Sequence, residues 1–597
     1  MKADTVDLAA IFGQPVRYLV PLFQRPYVWD EPNQWAPLWE DIQSVLERQL
    51  DDTPANDAIP HFMGAVVLDQ VLTPIGMVQA RYVIDGQQRL TTLQLFLAAA
   101  RDLAEETGHA GPAAMLGKLL FNDEFLVKSP EDRFKVLPST FDRAAFQAAV
   151  SNRKAGASET NGHRMLRGYD FFAERVREWA LVPDGGGEAE RRFEVLSTVL
   201  WKLLAVVAID LDARDNAQVI FETLNARGTP LLASDLIKNQ LFQVAAGRGA
   251  DVDDLYDREW LALDSDWWRA TVQAGRLKRP RLDIYANHWL AMKLGREVVS
   301  HLLFPDFKRY LSTRLDEVVD VIKDFRRYAD VWESFEREPA DSSMGLFLYR
   351  INTIEVSTAY PALLWICGPD GIHDLDERMR SLHAIESWLC RRVVVRANTQ
   401  GYTQVFLGLL NRLRQSATPS AADVVGYLAS LEGERGYWPV DDQVRNALGS
   451  LPIYAVLIRA RLRMILEAVE DDMRTGFTEQ SAPRGLTIEH VLPQEWRVHW
   501  PLPHNGDPEE AAKLRDVAKH RIGNLTLVTS KLNPKMSNAP WTEKRDYLNQ
   551  LSVLLISSDI KASDAWDEST IAKRGEWIAE RILRIWPDAA SPRWRAF

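Results

Sequence analysis

The chain has 597 residues, 46% apolar and 26% charged, with 32 Gly and 30 Pro, which excludes a disordered, collagen-like or wholly coiled-coil protein. Lys and Arg number 71 against 83 Asp and Glu, a net charge of -12, so the chain is no polycation coating DNA or anionic lipid, and any nucleic-acid contact has to be local. Two cysteines, Cys367 and Cys390, are too few for a disulfide scaffold or a Cys-ligated zinc site and point to the cytoplasm; no apolar run approaches the ~20 residues of a bilayer span, so no membrane is expected as a partner.

From the N-terminus, short β-like runs alternate with amphipathic helices. VRYLVPLF (Val16 to Phe23) and ARYVID (Ala80 to Asp85) are rich in β-branched and aromatic residues, and each feeds a helical stripe. The stripes are Trp35, Leu38, Trp39, Ile42, Val45 and Leu46, then Leu90, Leu93, Phe96 and Leu97. Trp201 to Asp212 supplies a further buried strand, and the expected first domain is α/β, residues 1–245. Its VIDGQQRLTTLQLF (Val83 to Phe96) places Asp85 and Gly86 in a strand-to-helix turn, where free N–H groups and the positive end of the helix suit a phosphate. Arg89 can add a bidentate contact, and Asp85 can hold a metal or an activated water. PLFQRPYVWD brings a second Gln-Arg pair, Gln24 and Arg25. FETLNARGTPLLASDLIKNQLF (Phe221 to Phe242) has Asn225 and Gly228 at a helix end, then Ser234 before Lys238 and Asn239, which capping alone explains. There is no Walker P-loop: Gly111 to Lys118 is one residue too long, and Leu119 stands where Ser or Thr is required.

Residues 246–474 carry stripes at three- and four-residue intervals, as in Leu315, Val318, Val319, Ile322 and Phe325, and are expected to be an all-α middle domain. RLKRPR (Arg276 to Arg281), RRVVVR (Arg391 to Arg396) and RARLR (Arg459 to Arg463) are the densest basic clusters, candidates for a positive groove or else solvated helix faces. TEQSAPRG (Thr478 to Gly485) marks the boundary of a third domain, residues 475–597.

That third domain holds LTIEHVLPQEW (Leu486 to Trp496) and RIGNLTLVTSKLNPKMSN (Arg521 to Asn538). An acidic residue beside a histidine at a strand end, then a turn Asn, then an Asn on a following helix, is the residue logic of a one-metal phosphodiesterase. His490 can take a proton from water. Glu489 and Asn533 supply hard oxygen ligands suited to Mg²⁺ or Mn²⁺. Asn524 ties the loop and orients His490. Lys531, Lys535 and Lys544 are candidates for DNA phosphate contacts, and His499, His504 and His520 read as surface residues.

These residues resemble an HNH, or ββα-metal, nuclease; the His, Asn, Asn order and the nine-residue gap from Asn524 to Asn533 fit. PLFQRPYVW, HFMGAVVL, DGQQRLTTL and FETLNARGTPLLASDLIKN resemble the N-terminal domain of GmrSD-type, modification-dependent (type IV) restriction endonucleases, and IESWLCRRVVVRANTQGYTQVF resembles the family's central helical region. The resemblance implies a multidomain α+β chain: a ParB/sulfiredoxin-like domain that hydrolyses a nucleoside triphosphate, a helical middle, and an HNH domain embedded in helices. It makes Gln24, Arg25, Asp85, Gly86, Gln87, Gln88 and Arg89 the nucleotide-site residues, leaving GTP, CTP, UTP and ATP open. The expected function is a nucleotide-regulated, Mg²⁺-dependent DNA endonuclease against modified DNA such as that of phage, with a homodimer as one way to gate it. Two alternatives stay open: an RNase or non-specific toxin nuclease, and a nucleotide-switched DNA-binding adaptor with an inactive nuclease domain.

Overall fold

β-Branched and aromatic runs concentrate in the first third of the sequence, and the computed structural model places its six-stranded sheet within residues 2–211, among helices. It describes residues 2–594 apart from 22–23, 25, 52–59, 72, 74–76, 152–161, 182–185, 212–231, 275–276, 475–481 and 503–506. The chain forms two compact units, Met1–Leu261 and Ala262–Phe597. The architecture is multidomain and α-rich with a small mixed sheet, an α+β protein.

In the first unit one sheet holds β1 (Lys2–Asp7), β2 (Val16–Leu19), β3 (His61–Val71), β4 (Gln79–Asp85), β5 (Val136–Leu137) and β6 (Leu204–Leu211), in the order β1-β6-β3-β4-β2-β5. β3 is antiparallel to β4 and parallel to β6, and β2 is parallel to β4. β2 is shorter than VRYLVPLF suggests, ending at Leu19, two residues before a proline that has no N–H to pair. Against the sheet pack α1 (Ala36–Leu50) and α2 (Gln87–Glu106), and α3 (Arg164–Ala180) packs on α2. Leu90, Leu93, Phe96 and Leu97 of α2 are fully buried, as their spacing predicts, and Phe96 meets Trp39 and Phe172 edge-on or tilted.

The second unit is mostly helical but not wholly so. The all-α expectation for 246–474 is corrected by an antiparallel hairpin, β7 (Thr271–Ala274) with β8 (Leu277–Pro280), which carries part of RLKRPR. Strands of four residues are too short for alternation to register. Beyond it the helices that matter here are α4 (Arg281–Leu294), α5 (Val318–Arg337), α6 (Leu375–Val394) and α7 (Arg459–Arg474). RRVVVR, at the end of α6, is no positive groove: Arg391 and Arg392 are fully buried. Arg391 donates to the carbonyls of Pro439 and Trp586 and pairs with Asp441, while Arg392 donates to Tyr437, Asn398 and Glu434 carbonyls. Both are cross-links between loops and satisfy carbonyls that would otherwise be orphaned.

The last stretch contributes β9 (Thr487–His490), β10 (Leu525–Val528), α8 (Asn533–Met536), α9 (Trp541–Leu551) and α10 (Glu568–Ile585). β9 and β10 pair antiparallel, with Leu525 opposite His490 and Thr526 opposite Glu489. Val491, Leu492, Trp496, Val528, Leu532, Met536, Leu548 and Ile571 form the core beneath them. Among the described residues no helix is long and apolar enough to cross a membrane.

One glycine sets how closely α10 approaches the turn before β10. A Cβ on Gly523 would lie 2.0 Å from the Ile571 carbonyl oxygen and 2.7 Å from the Gly575 nitrogen, both helix backbone that cannot step aside. Gly523→Ala is expected to destabilise the second unit by about 3 kcal/mol, the upper range for overpacking. Urea unfolding followed by tryptophan fluorescence measures the loss.

Candidate functional site

At the N-terminal constellation β4 ends in Asp85, and Gly86 turns the chain into α2 at φ 89°, with its Cβ position 3.1 Å from the Ala65 carbonyl oxygen. Only glycine takes that conformation at that distance without strain. Arg89, on the first turn of α2, donates to the Ala65 carbonyl and packs against Gly64, whose φ is 102°. The register of β3 against β6 shifts between Phe62 and Ala65, so Gly64 sits in a bulge that makes room for the guanidinium. Burial lowers the Arg89 pKa, and the Asp85 charge opposes that shift.

Two of the glutamines expected to meet nucleotide, Gln24 and Gln88, hydrogen-bond to backbone. Gln24 donates to the Ile84 carbonyl at 3.0 Å. Gln88 accepts from Val28 N–H at 2.9 Å and donates to the Pro26 carbonyl at 3.2 Å, so both ends of its amide clamp residues 26–28 onto the start of α2. Gln87 is buried, and Asp85 and Arg89 are half-buried at the turn. Tyr27 is a core residue whose hydroxyl lies 2.6 Å from Thr92 and accepts from Trp35. Arg25, Asn225 and Gly228 lie outside the described residues.

At the C-terminal constellation Glu489 and His490 are the last two residues of β9, both buried, and α8, which opens with Asn533, packs on that strand. Asn524, wholly buried, fills its hydrogen-bonding capacity on the loop that follows His490. Its Oδ1 accepts from Leu492 N–H at 2.7 Å and from the Trp566 indole at 3.0 Å, and its Nδ2 donates to the Leu492 and Lys519 carbonyls at 2.8 Å each. The side chain is a loop clamp.

Lys544, expected to contact DNA, is corrected by its burial: the side chain is 0% exposed and the Glu489 side chain 9%. Its Nζ donates to Glu489 Oε1 at 2.7 Å and to the His490 carbonyl at 2.6 Å. A flexible ammonium on the outside of a helix would have served phosphate; this one, on α9, faces inward and is consumed by β9. Burial raises the Glu489 pKa and lowers that of Lys544, and each charge offsets the other's shift. Lys531 and Lys535 are exposed, and Asn533 is half-buried.

The His490 ring meets Tyr454 edge-on at 4.1 Å between centroids, and His520 at 5.7 Å. Tyr454 and His520 stack 9° from parallel at 5.9 Å. His490 Nε2 is buried and has no hydrogen-bond partner among the described residues. Burial, with His520, Lys544, Arg459 and Lys519 adding positive charge, pushes the His490 pKa down to about 3, so the imidazole is a neutral acceptor across the cellular range. Tyr454 comes from the short helix Ile453–Val456, before the expected nuclease boundary, and nothing in its local sequence marks it.

Among the described residues no three His, Cys, Asp or Glu side chains gather as a ligand set. A carboxylate fixed through one oxygen and an amide on the facing helix instead suit a hard divalent ion that keeps most of its ligands as water.

Comparison with known families gives two matches. The family described as GmrSD restriction endonuclease, N-terminal domain, matches residues 8–242, and that described as GmrSD restriction endonucleases, C-terminal domain, matches residues 438–581. Together they span nearly two thirds of the chain, and the second takes in Tyr454 as well as Glu489, His490, Asn524 and Asn533. No curated protein matches it.

A buried lysine facing a buried carboxylate makes an unequal pair of deletions. Lys544→Met strands Glu489 and is expected to lower stability by about 3 kcal/mol, whereas Lys544→Met with Glu489→Met recovers most of that loss. Thermal unfolding of the two variants at neutral pH decides between this and two independent losses.

Proposed function

Since the chain belongs to the GmrSD restriction endonuclease family, we propose that its C-terminal residues 475–597 cut DNA as an HNH-type nuclease, with His490 as general base and Glu489 and Asn533 as ligands of Mg²⁺ or Mn²⁺. The supporting observation is the end of β9: one buried lysine holds both the Glu489 carboxylate and the His490 carbonyl, while α8 brings Asn533 to the same strand. In support, β9, β10 and α8 follow one another in the strand-strand-helix order expected of a ββα-metal fold, with the helix Pro508–Ala518 inserted between the strands.

The chemistry follows from what these side chains can do. The neutral His490 ring accepts the proton of a water that attacks the phosphorus, forming a P–O bond as the P–O3′ bond breaks and leaving a 5′ phosphate and a 3′ hydroxyl. Glu489 and Asn533 would hold the divalent ion, which when bound would supply neutralising charge at the phosphate and the departing oxygen. Asn524 acts through the backbone, keeping the residues after His490 from moving away from β10.

In the first unit the turn of Asp85, Gly86, Gln87 and Arg89 is the proposed site for a nucleoside triphosphate in a ParB-like domain, with phosphate on the N–H groups that open α2. Gln24 and Gln88 shape that turn by anchoring the preceding segment. Nucleotide state would gate cutting of modified foreign DNA in the cytoplasm, through domain contacts or a homodimer.

His490→Ala is expected to reduce cleavage of DNA by about 10²–10⁴-fold and to leave unfolding temperature and nucleotide turnover unchanged. Chelation of divalent ions abolishes cutting by the unaltered protein and Mn²⁺ restores it. Gel assays on modified DNA, plain DNA and RNA read all of these; undiminished cutting by His490→Ala rejects the assignment.

A further inference from the structure

We propose that Arg459, laid on the ring of Tyr454, binds substrate in the nuclease centre: its guanidinium takes a backbone phosphate of the DNA strand beside the bond that His490 addresses. The inference deepens the nuclease function proposed above and rests on it.

Arg459 opens α7 and is exposed. Its guanidinium carbon lies 3.4 Å from the centroid of Tyr454, and Nη1 donates to the Tyr454 carbonyl and, at 3.3 Å, to the Leu457 carbonyl. Those contacts use one nitrogen. No carboxylate pairs with Arg459 among the described residues. The other arginines of RARLR are employed elsewhere: Arg461 reaches Glu355 at 3.5 Å and the Ile354 carbonyl, and Arg463 the Leu486 carbonyl at 3.3 Å. Both are half-buried.

The ring beneath Arg459 is the one that touches the catalytic imidazole. Tyr454 is edge-on to His490, stacked on His520, and tied to His520 by its own N–H at 3.1 Å. Of the other cations around His490, Lys544 is consumed by Glu489, and Lys519 is paired with Asp516 at 2.9 Å. Asp516 is itself taken up by Trp496, Arg497 and Lys519, and Glu489 faces Lys544, so both of these carboxylates already have cationic partners. His490 Nε2 and His520 Nδ1 are both buried with no hydrogen-bond partner among the described residues. An aromatic platform carrying one uncommitted guanidinium, beside two imidazoles, is suited to a phosphodiester: the ring fixes the fork in advance, so less side-chain entropy is lost when it closes on two phosphate oxygens.

The test is a salt titration of DNA binding by the full-length His490→Ala protein, so that a labelled duplex stays intact. Adding Arg459→Ala is expected to weaken binding about tenfold and to flatten the slope of log K against log salt by ~0.9, one phosphate contact. Arg459→Lys recovers most of the slope, and Arg463→Ala leaves affinity and slope as they were. An unchanged slope in Arg459→Ala overturns the proposal, as does a fall in unfolding temperature that accounts for the lost binding. Cutting retained by His490→Ala would instead reject the nuclease assignment, while the slope would still report on Arg459.

Discussion

The proposed nuclease centre depends on one buried charge pair. Lys544 on α9 has its ammonium wholly removed from water, and both its partners, Glu489 Oε1 and the His490 carbonyl, belong to the last two residues of β9. In a low-dielectric interior an unpaired charge is far more costly than a paired one, so the carboxylate has one favoured direction and the strand end one favoured height. Asn524 performs the same service on the far side of His490 with neutral hydrogen bonds. Between them, a charged clamp and an amide clamp hold the strand end from both directions, leaving the imidazole no backbone freedom to lose when substrate arrives.

Electrostatics then differ sharply from the chain's average. A protein of net charge -12 surrounds His490 with Lys544, Lys519, Arg459 and a second imidazole. Positive surroundings and burial disfavour the imidazolium, keeping the base unprotonated, and the same surroundings attract a polyanion. In the proposed reaction one arrangement would thus serve both proton transfer and substrate capture. The turn in the first unit follows another logic: there Arg89 lodges in a strand bulge, and Gln24 and Gln88 hydrogen-bond to backbone, so these side chains fix the shape of the turn.

How far the sequence could be read depended on distance along it. Glu489, His490, Asn524 and Asn533 sit in two short stretches, and the strand-end, turn and helix positions inferred for them match β9, the Ile522–Asn524 turn and α8. Lys544 was misread because it comes 55 residues after its partner, and an isolated lysine on an amphipathic helix is almost always solvated. RRVVVR reads in the sequence as a positive groove or a solvated helix face because charge counting does not see burial, whereas Arg391 and Arg392 are buried loop cross-links. Tyr454 had no local signal at all. Gly64 did have one, since a glycine inside the run HFMGAVVL suggests a bulge, and that bulge is where Arg89 lodges.

Manganese binding measured by electron paramagnetic resonance on the full-length protein tests the centre most directly. One ion per chain is expected, lost or greatly weakened in Glu489→Ala and in Asn533→Ala and retained in His490→Ala. Equal occupancy in the unaltered protein and both ligand variants would contradict the claim that the clamped end of β9 and the start of α8 form a metal centre.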